Sequence, residues 1–157
     1  MGDERFERLQ REHDFEAWAN RGTEAIAGDL ELEFADLPGW QPLRTRHIDT
    51  MDPPVTKVML ARGDAAHVLV AVEAYRCASL RDAHELLLRM LGSFQTTALR
   101  EQPNAGIGDV AFGIGDPTMV VFARANYVVH VRNAGPELTD VMSVARALDE
   151  RIAGMPA

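Results

Sequence analysis

The sequence predicts an α+β fold: an antiparallel sheet of about six to seven strands with an N-terminal, a middle and a C-terminal helix packed on it. Two blocks of β-rich segments are joined by hairpin-length turns, and a helical segment separates the blocks. Short connections favour antiparallel pairing, because parallel strands need long crossovers. The predicted order of elements is α-β-β-β-β-α-β-β-β-α.

The chain begins with helix-forming residues. Residues 3–28 predict one helix, with Gly22 as its candidate break. Residues 30–34 alternate leucine or phenylalanine with glutamate, which predicts a short strand with one solvated face.

Three further strands complete the first block. Residues 42–50 predict a strand that is polar on both faces, which is typical of a sheet edge. Residues 55–62 and 66–76 predict a hairpin that turns through Gly63 and Asp64. Within it, residues 67–72 are apolar on both faces, as expected of a central strand.

The middle helix is predicted at about residues 80–97. Ser79 occupies a capping position, and apolar residues then recur at steps of three and four. This spacing places Leu87 and Met90 in the core.

The last block predicts strands at residues 110–114, 118–124 and 127–132. Residues 115–117 predict the first turn. The second turn is at Ala125-Asn126, where asparagine is expected to take the left-handed conformation because it tolerates positive φ.

The C-terminal helix is predicted at about residues 137–153, with Pro136 just before its first turn. Its apolar stripe consists of Leu138, Val141, Ala145, Leu148 and Ile152.

Length and composition predict a single domain over residues 1–157. The chain is 46% hydrophobic and 25% charged, which is ordinary for a globular protein. The only cysteine, Cys77, ends an apolar run and is expected to be a packed, unreactive thiol. The charged N-terminus predicts a cytoplasmic protein for the chain as given, and an exported domain whose leader was removed is the alternative.

The charge balance argues against nucleic acid as a partner. The chain has 16 basic and 24 acidic residues, a formal net charge of −8, which opposes the neutralisation of phosphates. The acidic balance favours partners with basic patches.

No catalytic motif is present, so no catalytic residue and no cofactor are predicted. The loop at residues 106–109 resembles a phosphate loop only in its glycines, because it precedes a strand and lacks a following Lys-Ser or Lys-Thr. His84-Glu85 is not followed by a histidine at position 88, which a zinc protease helix requires. The carboxylate pairs Glu31 with Glu33 and Asp149 with Glu150 are expected on exposed faces.

A metal site is not predicted either. His47, Asp49 and Asp52 lie close in sequence, but three ligands of this kind do not make a closed zinc site or a calcium loop. A polar edge strand explains them better.

The polar strand instead predicts a partner-binding surface at Arg44, Arg46 and His47. Trp40, beside a Pro-Gly turn, is the aromatic residue expected to be exposed and is included in this surface.

Three segments near the C-terminus resemble small α+β domains of bacterial exported proteins. They are Gly108–Ala111, Val121–Val129 and Ala145–Asp149, which include a Gly-Asp turn, an Arg-x-Asn hairpin and a Leu-Asp helix. The resemblance covers about a third of the chain and implies a noncatalytic module.

Two functions follow from these observations. The first is a noncatalytic binding or accessory domain that associates with a protein partner or with itself. The alternative is a small-molecule-binding domain or minor enzyme, whose pocket between sheet and helix would use Arg44, Arg46, His47 and Tyr75.

Overall fold

The computed structural model describes residues 3–19, 21–22, 25, 37–63, 65–94, 99–101, 106–114 and 118–155, without the side chains of residues 65–67. The helices are α1 (Glu4–Glu12), α2 (Phe15–Trp18), α3 (Leu80–Ser93) and α4 (Met142–Ala153). The strands are β1 (Trp40–Ile48), β2 (Val55–Arg62), β3 (Ala65–Arg76), β4 (Arg100–Glu101), β5 (Val110–Gly113), β6 (Met119–Arg124) and β7 (Tyr127–Asn133). The predicted strand at residues 30–34 and the turn at 115–117 lie outside the described residues.

The described strands form one seven-stranded antiparallel sheet in the order β1-β2-β3-β7-β6-β5-β4. The α+β class and the antiparallel sheet are therefore confirmed. The predicted hairpin is β2 and β3, and β3 lies inside the sheet as its apolar sequence predicts. The short strand β4 was not predicted, because two residues carry no periodicity.

Hydrophobic cores form on both faces of the sheet. On one face, α4 packs against β6 and β7, and its Leu148 lies in a core with Val72 and Phe122. On the other face, α3 packs against β6 and β7, and α1 packs on α3. Leu87 and Trp18 are buried there. We call these the α4 face and the α3 face.

The N-terminal helix is shorter than the sequence predicts. Asp3 begins α1, because its carboxylate accepts hydrogen bonds from the backbone N–H groups of Arg5 and Phe6. Asp14 then takes a left-handed conformation with φ 50°, which interrupts the helix before α2. The break is thus at Asp14, eight residues before the predicted break at Gly22.

The middle helix begins where predicted but ends earlier. The Ser79 hydroxyl accepts a hydrogen bond from the backbone N–H of Asp82 at 3.0 Å, which caps α3. Leu87 is fully buried, as predicted, whereas Met90 is only partly buried. The helix ends at Ser93, because the following Phe94 has an extended backbone.

The C-terminal helix begins five residues later than predicted. Residues 134–141 do not form a helix, because the Asn133 side-chain amide binds the backbone N–H and C=O of Thr139. The N-cap of α4 is Val141, and the Asp140 carboxylate accepts a hydrogen bond from the backbone N–H of Met142, the first residue of the helix. Pro136 is therefore outside the helix, and Leu138 is 74% exposed rather than buried. The rest of the predicted stripe is buried.

None of the helices in the described ranges is long and apolar enough to cross a membrane.

The burial of Leu87 predicts a large loss of stability in Leu87→Ala. The substitution removes a fully buried side chain from α3. It should lower the free energy of unfolding by about 2–5 kcal/mol in urea denaturation. Leu138→Ala is the matched control, because its side chain is exposed, and it should change stability by less than about 0.5 kcal/mol. Equal losses in the two variants would contradict the assigned core.

Candidate functional site

Strand β1 forms a long, exposed edge of the sheet. Residues 41–47 are all exposed, and within the described part of the chain β1 pairs only with β2. The register shifts between Pro42 and Arg44, so the stretch from Arg44 to Ile48 is the longer of two regularly paired stretches of the edge. The sequence correctly predicted a polar edge strand at this position.

The edge places the predicted binding residues on different faces. Arg44 and Arg46 lie opposite Met59 and Lys57 in β2 and share the α3 face with them. His47 is on the α4 face, where its Nδ1 lies 2.9 Å from the hydroxyl oxygen of Thr56. The structure thus brings the two arginines together but not the histidine.

Trp40 does not belong to this surface. It is 6% exposed and lies in the α4-face core with Leu37. The Arg62 guanidinium lies 5.3 Å from the centre of the indole ring and covers it. The expectation that Trp40 is exposed is wrong, because the Pro-Gly turn before it directs the strand's first side chain inward.

Tyr75 is separated from the edge by strand β2. Its hydroxyl donates a hydrogen bond to the Glu73 carboxylate at 2.6 Å. Burial and this carboxylate both raise the pKa of Tyr75. The four residues proposed for a small-molecule pocket therefore do not converge: two lie on one face of the edge, His47 lies on the other, and Tyr75 is half-buried elsewhere.

The metal hypothesis concerns the same end of β1. In the described ranges, no three metal-ligating side chains gather closely enough to hold an ion. His47 lies against Thr56 instead, while Asp49 and Asp52 are exposed. The absence of a metal remains a prediction.

A buried ionic cluster on β6, which β2, β3 and β7 separate from β1, was missed by the sequence analysis. Arg124, at the end of β6, binds Asp149 of α4 through two hydrogen bonds of 2.7 and 2.9 Å. Its third nitrogen lies 3.3 Å from Asp109. The side chains of Asp109 and Asp149 are only 5% and 6% exposed. Asp149 was expected on an exposed face, and that expectation is wrong because it faces Arg124.

Asp109 also fixes the turn between β6 and β7. Its second carboxylate oxygen accepts a hydrogen bond from the backbone N–H of Ala125 at 2.8 Å. Ala125 is the residue with positive φ, 52°, so the expectation that Asn126 would take this conformation is wrong. Asn126 instead donates its side-chain amide to the carbonyl of Cys77.

Gly108 allows this close approach. Its φ is +66°, and a Cβ there would lie 2.8 Å from the carbonyl oxygen of Ala123. Any side chain would push the loop off β6, which would separate Asp109 from its partners. Gly108 thus serves packing, whereas a Cβ at Gly106 would meet no atom within 4 Å, and the φ of Gly106 is +69°.

The three segments of the resemblance meet at this cluster. Gly108 and Asp109 come from the first, Arg124 and Asn126 from the second, and Asp149 from the third. Comparisons with protein-family models, curated proteins and solved structures gave no match. The resemblance to domains of exported proteins therefore remains a prediction.

Two histidines on the α3 face have buried Nε2 atoms without a hydrogen-bond partner among the described residues, namely His84 and His130. His84 is 3% exposed and its ring contacts Trp18 edge-on at 6.2 Å. Burial lowers the pKa of both residues, opposed at His84 by Asp109 and at His130 by Glu73. Arg81 and Arg21 also lower the pKa of His84, and Arg132 also lowers the pKa of His130.

Cys77 is 6% exposed, as expected of a packed thiol. Burial raises its pKa to about 12, with smaller contributions from Asp82 and Asp52. The thiolate form is therefore scarce at neutral pH, and nucleophilic chemistry is not favoured.

Replacement of Arg124 tests the ionic cluster. Arg124→Met should lower the free energy of unfolding by about 3–5 kcal/mol, because two buried carboxylates lose their cation. Arg8→Met is the matched control: Arg8 forms an exposed pair with Glu12, and the loss should be about 1 kcal/mol or less in the same urea titration. Similar losses in both variants would show that the cluster does not stabilise the fold.

The histidines predict a loss of stability in mild acid. Their folded-state pKa values lie below the ordinary value of 6.5. As the pH falls past 6.5, the unfolded chain binds protons that the folded chain does not, so the free energy of unfolding decreases.

Urea denaturation at a pH just above 6.5, and again about one pH unit lower, measures this decrease in the free energy of unfolding. His84→Phe and His130→Phe should each lose less stability than the original chain over the same interval. An unchanged pH dependence in both variants would contradict the assignment.

Proposed function

We propose that the chain is a noncatalytic binding or accessory domain that associates with another protein through the outer edge of β1. The observation that carries this proposal is the run of seven exposed residues, 41–47, on a strand whose outer side has no described partner. An open edge offers backbone N–H and C=O groups to an added strand. An extended segment of a partner is the ligand that uses them best.

Apolar side chains near the edge support the same function. Leu43 is 60% exposed and Met51 is 47% exposed. An added strand would cover part of this apolar surface, which would stabilise the complex beyond its backbone hydrogen bonds.

The unusual titratable groups support binding rather than catalysis. Tyr75, Cys77, His84 and His130 have shifted pKa values, but each is packed among apolar neighbours or engaged by a single carboxylate. Arg124 and its carboxylates join elements of the fold. These groups do not surround a common space in which a substrate could react.

Self-association through β1 is less favourable than association with a different protein. Two antiparallel copies of the strand would bring Arg44 and Arg46 of one copy close to the same arginines of the other. Like charges on directly paired strands destabilise the pairing. A homo-oligomer built on this edge would need anions to offset the repulsion.

Selection from a displayed library of random peptides tests the proposal without assuming the partner. Selected peptides should slow hydrogen exchange of the β1 amides, because an added strand protects them. Arg44→Glu combined with Arg46→Glu should weaken such peptides about tenfold while leaving the fold intact. Arg8→Glu with Arg146→Glu is the control of equal charge change on other surfaces.

The proposal fails if no selected peptide protects β1, or if the control variant weakens binding more than the edge variant does. It also fails if the edge variant unfolds, since the two arginines would then be structural.

A further inference from the structure

The register of the sheet brings a third cation beside the two edge arginines. Lys57 of β2 is exposed and lies directly opposite Arg46, while Arg44 is two residues away on the same face. We call Arg44, Arg46 and Lys57 the basic edge. Lys57 was not predicted as a binding residue, because only the pairing of β1 with β2 places it there.

Among the described residues, no carboxylate lies within ion-pair distance of the basic edge, although Glu73 of β3 is directly opposite Lys57 and accepts a hydrogen bond from the Tyr75 hydroxyl. None of its three cations forms an ion pair with another described residue. By contrast, Arg8, Arg21, Arg81, Arg89 and Arg124 each pair with a carboxylate. In a chain of net charge −8, three neighbouring cations exceed the single charge of Glu73 opposite Lys57, so they form a local field opposite to that of the whole protein.

The arrangement also has an energetic cost that a ligand can offset. Arg46 and Lys57 are directly paired across two strands, and like charges at such positions destabilise a sheet. A carboxylate between them would replace repulsion with two attractive contacts. Arginine can bind a carboxylate with both of its fork nitrogens, which adds geometric selectivity.

We infer that the partner segment of this edge is acidic, with Asp or Glu at alternate positions. The inference rests on the proposed function. Alternate residues of a strand lie roughly 6.6–6.8 Å apart on one face, which is also the spacing of Arg44 and Arg46 along β1. A strand added beside β1 would therefore place successive carboxylates against the two arginines, with Lys57 behind them. The net charge of the chain favours basic partners. A bound segment, however, would contact the basic edge, where the local charge is positive.

Arg132 provides a matched internal control. It is exposed on the same face of the sheet, but β2 and β3 separate its strand from β1. With strands about 4.8 Å apart, it lies beyond a Debye length of roughly 8 Å from a segment added outside β1. Its charge should therefore contribute little at physiological salt.

The test is fluorescence anisotropy with a labelled nine-residue peptide that alternates Glu with Thr. The original chain should bind it at least about tenfold more tightly than the same peptide with Gln in place of Glu. Lys57→Gln removes the lysine charge without adding a carboxylate that could pair with Arg46. It should weaken binding of the Glu peptide about threefold or more. Arg132→Gln should leave it unchanged, and added salt should weaken only the Glu peptide.

Several results would overturn the inference. Equal binding of the Glu and Gln peptides, or equal effects of Lys57→Gln and Arg132→Gln, would remove its electrostatic basis. Tighter binding of a single-stranded oligonucleotide through the same three residues would make nucleic acid the ligand. Sedimentation showing a dimer that Arg44→Glu dissociates would make a second copy the occupant.

The chain's own carboxylates need one further control. If Glu31→Gln with Glu33→Gln raised the affinity for the Glu peptide more than about tenfold, the chain itself would occupy the basic edge. The inference and the proposed function fail separately: nonacidic peptides that protect β1 refute only the acidic ligand class, whereas the absence of any peptide that protects β1 refutes both.

Discussion

The guanidinium of Arg124 holds together parts of the chain that are far apart in sequence. It joins the end of β6 to Asp149 of α4 and to Asp109 before β5. Both carboxylates are almost inaccessible to solvent, so each depends on this cation for its charge compensation. Asp109 also binds the turn after β6, and Asn126 of that turn binds Cys77 ahead of α3. The hairpin of β6 and β7 therefore positions both α3 and α4.

This arrangement makes the sheet asymmetric. Helix α3 packs on β6 and β7, and α4 packs on the same two strands from the other face. The contacts between helices and sheet are therefore concentrated on β6 and β7. Strand β1 lies at the far edge, three positions from β7, where both of its faces are exposed. An edge of this kind can bind an added strand without disturbing the core, because residues 41–47 are exposed.

The net charge of the whole chain and the local charge of the basic edge have opposite signs. The chain as a whole is acidic, whereas the basic edge is a local cluster of cations that form no ion pair with a described residue. Charged residues on an edge strand also prevent copies of a protein from pairing with each other. The same arginines can therefore serve two purposes: they repel a second copy and attract an acidic segment. Specificity of this kind combines an attractive with a repulsive element.

The sequence by itself determined the class of the fold, the central position of β3, the hairpin of β2 and β3, and the start of α3. These features arise from local periodicity, turn residues and capping, which are visible in a single segment. It also located the polar edge strand with Arg44 and Arg46. The late start of α4, the burial of Trp40 and Asp149, and the place of Lys57 beside Arg46 were decided only by the tertiary structure. The late start of α4 depends on a side-chain hydrogen bond of Asn133 that competes with helix formation. The other features depend on a partner from a distant segment, through packing, an ion pair or a strand register, and no local pattern encodes that partner.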